Sequence, residues 1–262
     1  MNRKNILEIT NLNRYFGGLK AVSNFNMTIA EHELVGLIGP NGAGKTTVFN
    51  LITGMYVPSS GSIRFLGEDI TKLKPHQIAQ RGITRTFQNI RLFSSLSVLD
   101  NVRIAYNYKV DYGIGHSILH SQKFIKREKE IYEKALNVLE TFGLIDRAYE
   151  VAKNLPYGEQ RKLEIARALV SEPKLLLLDE PAAGMNPSEI KSLMELIRFI
   201  HNKFNLTILL IEHQMRVVMG ICERVVVMDF GEIISQGKPE EIQNDPKVIE
   251  AYLGKITECV NR

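Results

Sequence analysis

The chain has 262 residues, 44% hydrophobic and 24% charged, with 19 glycines and 9 prolines; these proportions fit one large or two modest globular domains and exclude collagen-like, low-complexity and disordered chains. The net charge of +4 at pH 7 is spread along the chain, so it permits an anionic ligand without pointing to nucleic acid. The longest aliphatic runs, Leu175 to Leu178 and Val225 to Met228, fall far short of the roughly 18 residues of a membrane span, and Glu8 precedes any secretory apolar segment, so the chain is expected to stay in the cytoplasm.

In chain order, Ile6 to Thr10 and Phe25 to Ile29 alternate as strands do. Glu33 to Gly39 is a short apolar run ending in glycine, and Lys45 to Thr53 has helical spacing with Gly54 as a stop, which predicts strand, loop, helix. Gly61 to Phe65 and the residues around Gly67 predict a small β element. From Ser97 to Tyr149 the texture turns helical: Glu128, Lys129, Ile131, Tyr132, Ala135, Leu136, Val138 and Leu139 set an amphipathic period near 3.6. Leu175 to Leu178, Leu206 to Ile211 and Val225 to Met228 are continuous apolar runs separated by helical stretches, the pattern of parallel strands buried on both faces.

The predicted fold class is therefore α/β, with a mainly parallel sheet, an N-terminal antiparallel β layer and an inserted helical subdomain. The expected division is an α/β core with its β layer over 1–88 and 159–236, a helical subdomain over 89–158 and a C-terminal tail over 237–262. Cys222 and Cys259 have no CxxC partner and no histidine cluster, so they read as reduced thiols without a disulfide or a cysteine-built metal site.

Gly39, Pro40, Asn41, Gly42, Ala43, Gly44, Lys45, Thr46 and Thr47 match GxxxxGK[ST] between a strand and a helix, the setting of a P-loop NTPase core. Glycines let the backbone N–H groups turn inward around phosphate oxygens, and the helix adds its positive dipole end. Lys45 is placed to bridge the β- and γ-phosphates, and Thr46 to bind Mg²⁺. Leu175 to Leu178 run into Asp179 and Glu180, which emerge at the same carboxyl edge of the sheet. Asp179 suits a Mg²⁺ water; Glu180 suits the attacking water, because phosphoryl transfer needs positioning and charge neutralisation. An acidic strand cap is the plainer reading of the pair, and the phosphate loop at the same edge outweighs it.

The phosphate loop, Gln88 in Thr-Phe-Gln, the turn Leu155-Pro-Tyr-Gly158-Glu-Gln160 before a helical Arg161 to Val170, the Asp179-Glu180 strand and Ile211-Glu-His213 follow one another here. In that order of motifs the sequence resembles the ATP-binding cassette ATPases over nearly its whole length. LPYGEQRKLEIARAL, DEPAAGMNP and DPKVIEAYLG are similar to stretches of the ATP-binding subunits of branched-chain amino-acid importers. The resemblance implies ATP and Mg²⁺ as cofactors and ATP hydrolysis as the activity. It implies that Gln88 touches Mg²⁺ or water and links the core to the helical subdomain, and that His213 contacts the γ-phosphate. Phe16, with Tyr15 in reserve, would stack on adenine, while Tyr157 and Gly158 would face an ATP across a dimer.

The partners so implied are a second cassette ATPase or a second copy of this chain, transmembrane permease subunits docked on the helical stretch, and indirectly a solute-binding protein. The chain would lie peripherally on the cytoplasmic face of the membrane, with no nucleic-acid partner. Lys123, Lys126, Arg127 and Lys129 read as a solvated helix face, with an anionic lipid surface as the alternative.

The sequence departs from the family in two places, the turn before the helix and the segment after the Asp179-Glu180 strand. The family's common turn is Leu-Ser-Gly-Gly-Gln, and here Pro156 and Tyr157 replace the serine and the first glycine; Asn186 replaces the usual aspartate after the Asp179-Glu180 strand. A heterodimer with one regular and one weakened site is the expectation. A GTPase would need an Asn-Lys-x-Asp reader, and Asn202-Lys-Phe-Asn205 lacks the carboxylate. The alternatives within the family are an importer ATPase for another solute and a soluble ATP clamp; the clamp would call for a coiled coil or second cassette, and neither heptads nor repeats appear.

Overall fold

The computed structural model describes residues 3–106 and 122–253. β1 (Asn5–Phe16), β2 (Leu19–Ala30), β3 (Leu34–Ile38), β4 (Ser60–Phe65), β5 (Glu68–Asp69), β6 (Ile83–Arg85), β7 (Leu175–Asp179), β8 (Thr207–Ile211), β9 (Arg224–Asp229) and β10 (Glu232–Gly237) form two sheets. One is antiparallel in the order β2-β1-β4-β5; the other has the order β10-β9-β3-β8-β7-β6, parallel from β9 to β6, with β10 folded back antiparallel on β9.

Every residue of β3, β7 and β8 is buried, and the two-residue period of a strand deals their side chains to opposite faces. Val35, Leu37, Leu175, Leu177, Leu209 and Ile211 join a core with the β layer, α1 (Lys45–Ile52) and α2 (Pro75–Gln80). Leu34, Ile38, Leu176, Leu178, Ile208 and Leu210 join a second core under α3 (Val98–Tyr106), α4 (Gln122–Thr141), α5 (Tyr157–Leu169), α6 (Pro187–Phe204) and α7 (Met215–Ile221). Each buried leucine contributes about 1.5–3 kcal/mol. The sheet is thus sandwiched, and its carboxyl edge gathers the ends of β3, β6, β7 and β8.

On α4 the buried face is Ile131, Ala135 and Leu139; Lys126 and Lys129 are exposed, Lys129 pairing with Glu133, whereas Arg127, one turn before Ile131, is half-buried over the Tyr106 ring and pairs with Glu130. The side chain of Lys123 lies outside the described residues. No helix among the described residues is long and apolar enough to cross a membrane.

Three features differ from the sequence reading. α5 begins at Tyr157, four residues before Arg161, because Pro156 has the extended conformation of an N-cap. β6, only three residues long, and α2 carry no apolar run to announce them. Residues 237–253 include α8 (Pro239–Gln243) and α9 (Pro246–Leu253) rather than a plain tail, each opening on a proline suited to a first helical turn, with Ile242 and Val248 buried in the helical core.

Cys222 is buried against β3, its Sγ 3.0 Å from where a Cβ on Gly36 would stand. Burial, with the charge of Glu212, pushes its thiol well above the usual range. Peptide mass mapping should therefore show Cys222 unalkylated in the native chain and alkylated after unfolding; native labelling as fast as in the unfolded control would show that this contact opens. Cys259 lies outside the described residues.

Candidate functional site

Between β3 and α1 the chain turns on glycines, two of which leave no room for a side chain. A Cβ on Gly39 (φ 150°) would stand 2.1 Å from the Met228 carbonyl oxygen, and one on Gly44 (φ 101°) 2.4 Å from that of Ala21. Lys45 is buried, and its Nζ donates to the carbonyls of Gly39 and Pro40 at 2.8 Å each. Burial lowers its pKa, and the charges of Glu180 and Asp179 oppose that shift. Asn41, Gly42, Ala43, Gly44, Lys45, Thr46 and Thr47 line a cavity of about 940 Å³, whereas Gly39 and Pro40 do not line it and hold Lys45 by their carbonyls.

Gln88, Glu180 and His213 line the same cavity. Glu180 follows β7 in a left-handed conformation (φ 46°), a strain of roughly 1–3 kcal/mol for a non-glycine residue that its surroundings must hold. Its N–H donates to Ile211 O at 2.9 Å; Gln88 Nε2 donates to its Oε2 at 2.8 Å, and His213 Nε2 lies 2.7 Å from its Oε1. Asp179 sits beneath, 3% exposed, paired at 2.6 Å with Arg85, whose other Nη donates to Asn50 Oδ1 at 2.7 Å.

Among the described residues no three His, Cys, Asp or Glu side chains form a metal cage. The oxygens at hand are the Thr46 hydroxyl, the Gln88 carbonyl and the Asp179 carboxylate. A Mg²⁺-type cation that keeps water and shares phosphate oxygens fits that set; a cation needing a full protein cage does not.

Phe16 lines the cavity. It meets Tyr56 edge-to-face at 5.3 Å, with the Arg14 guanidinium 4.5 Å over its ring. Tyr15 does not line it, and its hydroxyl donates to Asn13 Oδ1 at 3.2 Å. Phe230 also lines the cavity at 86% exposure, in a two-residue turn between β9 and β10 with positive φ at both Phe230 and Gly231, the pattern of a type I′ hairpin. Gly231 N donates to Ala43 O at 3.0 Å and ties this turn to the phosphate loop.

Tyr157 and Gly158 lie outside that cavity, at the start of α5. The Tyr157 hydroxyl donates to Ala183 O at 2.9 Å. Arg161, fully buried one turn on, donates to Phe87 O (2.8 Å), Gln88 O (2.7 Å) and Glu164 Oε2 (2.7 Å). The other Glu164 oxygen accepts from Phe87 N at 3.2 Å. Burial pushes the Glu164 pKa up, and Arg161 opposes it. Asn186 accepts from the amides of Ser188 and Glu189 at 3.0 Å each, while Glu189 accepts from Asn186 N. It is a full N-cap of α6, as an aspartate would be.

Sequence reasoning missed Arg85, Arg161, Glu164 and Phe230. The first three are charges inside a short strand or a helix, where only tertiary pairing gives them meaning; Phe230 carried a signal, an aromatic before glycine between two strand-like runs.

The family model described as ABC transporter matches residues 22–183, and the model for branched-chain amino acid ATP-binding cassette transporters matches residues 232–255. The chain is 47% identical over 250 residues to the high-affinity branched-chain amino acid transport ATP-binding protein LivG of Salmonella typhi, covering 95% of this chain and 98% of that protein. It is 44% identical to the corresponding ATP-binding protein BraF of Pseudomonas aeruginosa, with the same coverage. The crystal structure of an ATP-binding cassette of an ABC transporter in its ADP conformation aligns with a TM-score of 0.83 at 32% identity, covering 96% of this chain and 99% of that one.

Proposed function

Because the chain belongs to the ABC transporter ATP-binding proteins, we propose that it is the ATP-hydrolysing subunit of an importer of branched-chain amino acids. The observation that carries this reading is the single cavity in which the phosphate loop, Gln88, Glu180 and His213 converge. The loop amides and Lys45 bind the phosphates. Thr46, Gln88 and Asp179 would hold Mg²⁺, which when bound neutralises phosphate charge. Glu180 accepts the proton of the attacking water as the γ-phosphorus to bridging-oxygen bond breaks, and His213 contacts the γ-phosphate. Water must displace Gln88 or His213 from a Glu180 oxygen to be activated there.

Phe16 stacks on adenine, and Phe230 adds a second aromatic at the rim. Base stacking is worth about 1–3 kcal/mol, so Phe16→Ala is expected to weaken ATP binding about 5- to 150-fold while leaving inorganic triphosphate binding unchanged. Equal losses for both ligands in calorimetry would remove Phe16 from the base site.

Docking on membrane subunits belongs to the same reading. A groove lined by Ile78, Ile83, Phe87 and Ala168, with Arg91 and Arg167, runs between the core and the helices next to Gln88; there a cytoplasmic segment of a permease subunit can reach the catalytic loop. Co-expressed with its cognate membrane subunits, the chain should sediment with membranes at high salt and hydrolyse ATP, because docking on packed surface is not screened. Complete release by salt, or a complex without ATPase activity, would overturn the reading.

A further inference from the structure

Between Ile211 and His213 stands a carboxylate that the chemistry above does not use. Glu212 is 2% exposed. Its Oε1 accepts from Ala182 N at 2.7 Å, and its Oε2 accepts from His213 N at 3.1 Å and Gln214 N at 3.3 Å. The side-chain amide of Gln214 donates in turn to Ala182 O at 3.2 Å, so Ala182 is gripped at both its polar groups. Burial, with the Glu180 charge in support, raises the Glu212 pKa, and the three amide bonds work against it.

The two loops so joined carry the reacting groups. Ala182 lies two residues beyond Glu180, whose carbonyl accepts from Ala183 N at 3.1 Å; His213 lies next to Glu212 and holds Glu180 Oε1. Glu180 sits in a strained conformation that persists only where its surroundings over-determine it. A carboxylate accepts on both oxygens, whereas an amide in its place must turn an N–H donor toward amide donors on one side.

We infer that Glu212 is a positioning residue for hydrolysis: it fixes the loop of Glu180 against the loop of His213 without touching ATP, an inference that rests on the ATPase reading. The test is Glu212→Gln in the full chain, assembled with its cognate subunits. The expected result is a kcat lower by about 10- to 100-fold, the scale of a misplaced reacting group, with the ATP Kd unchanged and the thermal midpoint lowered by only several degrees, as the loss of one buried acceptor requires. Added to His213→Ala, the substitution should cost far less than it does alone, since both act on one geometry. Should Glu212→Gln fail to fold, Glu212→Asp, which keeps the charge and withdraws the oxygens by one methylene, is expected to show the same loss of kcat at full affinity. An undiminished kcat, a loss that is equal on both backgrounds, or a rise in Kd that matches the fall in kcat overturns the inference. Absence of hydrolysis by the unaltered complex overturns the ATPase reading and this inference with it.

Discussion

Glu180→Gln is expected to retain ATP binding and lose turnover by about 10²- to 10⁴-fold, the usual contribution of a positioned general base. The replacement keeps the shape of the side chain, so the contacts at 2.8 Å to Gln88 and 2.7 Å to His213 retain partners, yet the amide cannot take a proton from water. Lys45→Ala should fail differently. Its Nζ is the buried donor shared by the Gly39 and Pro40 carbonyls. Removing it strips the loop of its charge, and a charge-assisted contact of about 1.5–3 kcal/mol corresponds to roughly 10- to 150-fold in affinity. Nucleotide titration beside phosphate release separates the two variants. Normal turnover in Glu180→Gln would remove Glu180 from catalysis, and unchanged affinity in Lys45→Ala would remove Lys45 from phosphate binding.

The residues behind this contrast were legible in sequence because their signals are local. A loop that needs left-handed glycines must spell them out, and strands buried on both faces must be apolar throughout; β3, β7 and β8 are. Edge strand β6 has no such need. Its Ile83 is buried, but Arg85 earns its place by pairing with Asp179, 94 residues away, and no window of sequence contains that pair. The same holds for Arg161 and Glu164, whose partners are backbone groups of the Phe87–Gln88 segment. Glu212 was visible only as the letter before His213. Its role depends on Ala182, which the parallel pairing of β7 with β8 brings alongside. Asn186, which reads as a departure from the family pattern, turns out to cap α6 with both hydrogen bonds that an aspartate would make.

The other departure keeps its weight, and from it follows unequal work by the two ATP sites of the assembled complex. Pro156 has no N–H and no hydroxyl to offer a γ-phosphate across a dimer. Tyr157 does not make up the loss, because its hydroxyl is committed to Ala183 O and accepts from Arg161 within the same chain. What remains is the amides of Tyr157 and Gly158, in the first turn of α5, where N–H groups have no partner inside the helix. One missing preorganised donor costs about 2.7–4 kcal/mol, or 10² to 10³ in rate. We therefore expect a heterodimer in which a partner ATPase with Ser-Gly-Gly in its turn completes the site of Lys45, Asp179 and Glu180, while the partner's own phosphate loop faces Pro156 and turns over slowly. Replacing Glu180 should abolish most of the ATPase activity of the complex, and replacing the partner's matching glutamate should matter far less. Equal damage from the two substitutions, or full activity from a homodimer of this chain, would mean that the amides of Tyr157 and Gly158 alone stabilise the transition state and that a hydroxyl at position 156 is dispensable.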